Sequence, residues 1–139
     1  MSVQQEAEAF VASYVDAFTR WDVDAACAHW AGGGLFLMPA GNAALDASAF
    51  RDNVAKLMDF YRRQHVAHPD AKLVSCAELF PGLAEVRVTY RLFDSAAAEI
   101  VAWEHIYLLR KTKRWFAVLA VADGEIAAWA ARGTPLGEA

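Results

Sequence analysis

The chain has 139 residues, 57% of them hydrophobic and 22% charged, with a formal net charge of −4. That length accommodates one domain with a sizeable core, and the apolar share excludes an intrinsically disordered chain. The acidic balance argues against a nucleic-acid partner.

Apolar residues at Ala7, Phe10, Val11, Tyr14, Val15 and Phe18 recur at helical spacing and predict an amphipathic first helix. Asp22 is placed to cap a short second helix over Val23 to Trp30, with Asp24 in its first turn. Gly32-Gly33-Gly34 breaks that helix, and Leu35 to Met38 reads as a short strand stopped by Pro39. No Gly-Lys-Ser/Thr follows the glycines, so they do not form a phosphate loop. After a turn at Ala40-Gly41-Asn42, Asp46 or Ser48 caps a third helix with the stripe Phe50, Val54, Leu57, Met58 and Tyr61, ending near His65 to His68 ahead of Pro69.

Beyond residue 71 the pattern changes to strands: Lys72 to Phe80, Leu83 to Phe93, Glu99 to Arg110 and Trp115 to Ala122, an antiparallel meander. The basic run Arg110 to Arg114 lies between two of them and reads as a solvated hairpin turn. Glu125 to Arg132, carrying Ile126 and Trp129, is either a short helix or an extended arm. The domain is expected to span residues 1–132, with 133–139 a frayed tail. Helices followed by a meander imply an α+β domain whose sheet wraps around a helical layer.

The order of these elements, together with Val11 to Phe18, Trp21-Asp22-Val23-Asp24, Met38-Pro39-Ala40-Gly41 and Trp103-Glu104-His105, resembles the NTF2-like, SnoaL-like superfamily. This is the cystatin-like cone fold of ketosteroid isomerases, scytalone dehydratase and limonene epoxide hydrolase. The resemblance covers residues 5 to 122 and implies a curved antiparallel sheet around N-terminal helices, a pocket at the open end of the cone, and homodimerisation through the outer face of the sheet. It implies a tyrosine on the first helix and a carboxylic acid on a late strand as donors to an enolate oxygen, positions that Tyr14 and Glu104 occupy. A carboxyl group in an apolar pocket has its ionised form disfavoured and can remain a donor. The carboxylate base that the isomerases carry just before the proline is absent, because Met38 stands there.

The expected function is binding of a small apolar, oxygen-bearing ligand in a pocket lined by Phe36, Met38, Tyr61, Ala102 and Ile106, with lyase, isomerase or cyclase chemistry open. The alternative is a non-catalytic homodimeric interaction module. Tyr14 is either a pocket donor or a core tyrosine bonded to a backbone carbonyl. Strand alternation groups Glu104 with Ala102, Ile106 and Leu108. If that set faces the helices, Glu104 is inside the cone; otherwise it is a structural acid or lies on the opposite face. His29, beside Trp30, is the available substitute base or a helix-end histidine. Arg87, Arg91, Trp103, His105 and Tyr107 would form the dimer surface.

His65 and His68 have no carboxylate or cysteine spaced to complete a metal site, and Cys27 and Cys76 have no partners, so neither metal nor cofactor is expected. Reduced thiols, a polar Met1 to Glu6 segment and apolar runs far below the ~18 residues of a membrane span lead to the expectation of a cytoplasmic protein that does not bind membranes.

Overall fold

The structure is a computed structural model, and it describes residues 1–136. Helix α1 (Val3–Thr19) begins at a capping box in which the Ser2 hydroxyl accepts from the Gln5 amide at 3.1 Å and the Gln5 side chain accepts from the Ser2 amide at 2.9 Å. Its buried face is Ala7, Phe10, Val11, Tyr14, Ala17 and Phe18, which is the predicted stripe with Ala17 in place of Val15. Asp22 caps α2 (Val23–Cys27) through the Ala25 amide at 3.0 Å. This helix stops short of Trp30, because the next residues join the sheet: the Ala117 amide donates to the His29 carbonyl at 2.8 Å.

Strand β1 (Trp30–Met38) therefore includes the three glycines, with a register irregularity between Trp30 and Leu35. Gly34 is required there, since a Cβ would lie 2.7 Å from the Trp30 ring, which folds back over its own strand. Strand β2 (Gly41–Asp46) pairs antiparallel with β1 and was not foreseen. Its alanines and asparagine are poor strand formers, and pairing with β1 imposes the conformation. Asp46, not Ser48, then caps α3 (Ala47–Arg63), accepting from the Ala49 amide at 2.8 Å.

Strands β3 (His68–Phe80), β4 (Leu83–Phe93), β5 (Glu99–Lys111) and β6 (Trp115–Val121) form the predicted antiparallel meander. The six strands are ordered β2-β1-β6-β5-β4-β3, with β1 and β6 parallel. The result is the expected α+β architecture, a curved open sheet with the helices over one face.

Helix α4 (Asp123–Ala131) follows β6 directly and lies against β5. Trp129 on its inner face is fully buried against Phe60 and Tyr61 of α3, with ring centroids 4.9 and 5.9 Å away. The frayed tail expected from Gly133 onward is replaced, as far as Leu136, by anchored chain. The Gly133 amide donates to Ala130, that of Thr134 to Trp129, and Leu136 packs on the core. The rest of that expectation, residues 137–139, lies outside the described residues. Among the described residues no helix is long and apolar enough to cross a membrane.

Candidate functional site

The register between β4 and β5 decides which side chains can form a site. Directly opposed residues share a face in an antiparallel pair, and the opposed pairs are Val86 with Tyr107, Val88 with His105 and Tyr90 with Trp103. Val86, Val88 and Tyr90 are buried in the core, so Trp103, His105 and Tyr107 face it too, and all three are buried. The intervening pairs, Arg87 with Ile106, Thr89 with Glu104 and Arg91 with Ala102, lie on the outer face. The expected orientation of β5 is thus inverted, the consequence of a strict two-residue period.

Several assignments change with it. Glu104 is exposed and accepts from Arg87 at 3.2 Å, so it is not a pocket acid. Ala102 and Ile106 lie outside with it and do not line a pocket. Trp103, His105 and Tyr107 are withdrawn from any outer interface. Arg87 and Arg91 do face outward, where Arg87 pairs with Glu104 and Glu85, and Arg91 with Glu99 at 2.7 Å.

The helices and the inner face of the sheet enclose a cavity of about 630 Å³. Tyr14, Phe36, Met38 and Tyr61 are among its lining residues. Trp30, Phe50, Tyr90, Leu92, Trp103, His105 and Tyr107 complete much of the wall. His29 is not part of it. Its Nδ1 lies 2.7 Å from the Ala25 carbonyl and its Nε2 2.8 Å from Ser13 Oγ, so Nδ1 donates and Nε2 accepts the serine proton. Partial burial pushes its pKa down, which keeps the ring neutral.

The carboxyl group in this cavity is Glu125, which the sequence reading placed on a terminal element without assigning it a role. It is 6% exposed. Gly124 makes the approach possible: a Cβ there would lie 2.6 Å from the Glu104 carbonyl oxygen, so only glycine lets the start of α4 press against β5. Glu125 and Trp129 are four residues apart and share the inner face of α4. The Tyr61 hydroxyl and the Trp129 indole, the latter at 3.2 Å, both donate to Glu125 Oε2. Burial pushes the carboxyl pKa up to about 7 against these two bonds, which favour the ionised form. The sequence signal that could have revealed it is an acid sharing a helix face with tryptophan.

Around Glu125 the polar atoms are mainly donors. Trp30 Nε1 donates to the Tyr14 hydroxyl at 3.1 Å, which leaves the Tyr14 proton for another acceptor. The hydroxyls of Tyr90 and Tyr107 are 2.7 Å apart; whichever accepts keeps its own proton to donate. Trp103 Nε1 donates to His105 Nδ1 at 3.1 Å, so the neutral ring carries its proton on Nε2. Burial lowers the His105 pKa to about 4, only partly offset by the Asp123 charge. Burial likewise raises the pKa of Tyr14, Tyr61, Tyr90 and Tyr107, and the Glu125 charge raises all four further. The site therefore combines neutral donors with one carboxyl group that changes charge near neutrality. Among the described residues no cluster of histidine, cysteine and acidic side chains could hold a metal ion.

The sequence profile of the family described as NTF2-like protein (DUF6841) matches residues 5–125. No curated protein matches the chain. Among solved structures, the chain is similar to an NTF-2 like protein of unknown function from Shewanella oneidensis, at 12% identity and a TM-score of 0.68, covering 86% of this chain and 98% of that one. A protein with a cystatin-like fold from Nostoc punctiforme matches at 14% identity and a TM-score of 0.66, covering 85% and 87%. A ketosteroid isomerase-like protein from Erwinia carotovora atroseptica matches at 20% identity and a TM-score of 0.60, covering 86% and 95%. At these identities the likeness is one of fold.

Proposed function

The chain belongs to the family described as NTF2-like protein (DUF6841), and on that footing we propose that its cavity binds a small, mostly apolar, oxygen-bearing molecule and that Glu125 exchanges a proton with it. The observation that carries this reading is the buried Glu125 carboxyl, with a pKa of about 7, in a cavity of about 630 Å³ whose wall is mostly apolar and carries several hydroxyl donors. A cavity of this size suits a small organic ligand. A carboxyl group poised near the working pH is an effective general base, an effect typically worth about 10²–10⁴ in rate.

The chemistry is proton abstraction from a carbon next to a carbonyl. The C–H electron pair moves toward the carbonyl oxygen, Glu125 takes the proton, and the enolate oxygen is stabilised by hydroxyl donors. Tyr14 and the Tyr90–Tyr107 pair supply those donors. Return of the proton to a different carbon gives isomerisation, and loss of a leaving group gives elimination. Glu125 thus provides, from α4, the base that is missing where Met38 stands at the end of β1.

The test uses β-naphthol, a flat neutral phenol, as binding probe and β-tetralone as a ketone with exchangeable protons. Quenching of Trp30 and Trp103 fluorescence reads binding, and proton NMR in deuterium oxide reads exchange. The expected result is binding of both compounds and enzyme-dependent exchange that Glu125→Gln abolishes while naphthol binding persists. Absence of binding would overturn the cavity assignment. Exchange that survives Glu125→Gln would overturn the role of Glu125, and binding without exchange would leave a carrier instead of an enzyme.

A further inference from the structure

We propose that the ligand carries a carboxylate at the end opposite its oxygen function, and that Lys56 and Arg63 on α3 receive this group at the mouth of the cavity. The inference rests on the cavity reading above and adds a substrate class to it: amphipathic carboxylic acids with a flat apolar body.

Lys56, Arg63 and Glu125 are the charged residues among the described lining of the cavity. Glu125 is buried, whereas Lys56 and Arg63 are exposed, so the acid lies within the cavity and the two cations lie where its lining meets solvent. Seven residues separate the two cations along α3, which puts them on one side of the helix, two turns or about 10 Å apart. They flank Phe60, which is buried against Trp129. Their aliphatic stems can therefore follow the apolar rim while the charged heads stay in water.

Several other cations of the chain are already engaged. Arg20, Arg51, Arg87, Arg91 and Lys111 form ion pairs with acidic side chains. Among the described residues neither Lys56 nor Arg63 has an acidic partner within ion-pair distance. Asp59, on the same helix, shares a shallow outer groove with them and with Arg62, so three cations face one acid there. Positive potential at the mouth attracts an anion, while the Glu125 carboxylate at depth repels one. The two effects together orient the ligand, carboxylate outward and oxygen function inward.

Two probes that share a ring system test this: β-naphthol, and the hydroxynaphthoic acid bearing a carboxylate at the far end of the same rings. In low salt the acid should bind about fivefold more tightly than the phenol, the scale of two solvent-exposed charge contacts. That advantage should shrink when salt is raised to about 0.5 M, where exposed charges are screened within a few Å. The double variant Lys56→Gln, Arg63→Gln, both at exposed positions, should erase the preference and leave naphthol binding unchanged. Equal affinities in the unaltered protein, or a preference that survives the double variant, would overturn the proposal while the cavity reading stands. If neither probe binds, both fall.

Discussion

Gly124 and Glu104 meet backbone to backbone: a Cβ on Gly124 would sit 2.6 Å from the Glu104 carbonyl oxygen. Glu104 thus bears on the site through its main chain, as the surface against which α4 docks, while its side chain points to solvent. The carboxyl group that enters the cavity is that of Glu125, the residue after the contact.

Gly124→Ala is expected to lower stability by about 1–3 kcal/mol, the usual scale of overpacking, because the opposing atom is backbone and cannot rotate aside. Naphthol binding should weaken with it as Glu125 is displaced. Urea denaturation and fluorescence titration check this, and an alanine variant unchanged in both would show that the contact is dispensable.

Glu104→Gln should alter stability by no more than about 0.5 kcal/mol, as for other exposed ion pairs. Ligand binding should be untouched. A clear loss of naphthol affinity in this variant would restore Glu104 to the site and contradict the outer-face register.

Tyr61→Phe removes a hydrogen bond that favours ionised Glu125. Desolvation then acts with less opposition, and the carboxyl pKa moves further up. The exchange rate of the ketone probe should rise with pH through a midpoint near 7 in the unaltered protein and at higher pH in the variant. A midpoint that stays put or moves down would sink the assignment of Glu125 as the base.

Stability should depend on pH through two opposing groups. Folding raises the Glu125 pKa from 4.5 to about 7, so the folded state binds more protons than the unfolded in that window, and Glu125 lowers stability as pH rises. Folding depresses the His105 pKa from 6.5 to about 4, so His105 raises stability over its own window as pH rises and loses it on acidification. Each effect is roughly 3 kcal/mol, and they offset between pH 4.5 and 6.5. Denaturation midpoints should be nearly flat there in the unaltered protein, climb with pH in Glu125→Gln and fall with pH in His105→Phe. Parallel slopes in all three would exclude this pair as the source.

The helices, the meander and the fold class were legible because each rests on local pattern: the stripe from Ala7 to Phe18 and the caps at Asp22 and Asp46 express short-range geometry. The placement of Tyr14, Phe36, Met38 and Tyr61 at a cavity came instead from the family resemblance, which implies a pocket in the cone. Strand β2 was not legible, since Asn42, Ala43 and Ala44 lack strand propensity and become a strand only by pairing with β1. Nor was the facing of β5, whose two alternating sets are both largely apolar; pairing of Trp103 with Tyr90 and His105 with Val88 decided it. The acid of the site was likewise a tertiary matter. Glu104 stood out because its neighbours in the chain are apolar, whereas Glu125 is buried by residues remote from it, Tyr61 on α3 and the β5 backbone against Gly124. Local pattern determines which residues form an element and which share a face of it; packing between elements determines which face is inside and which charge is withdrawn from water.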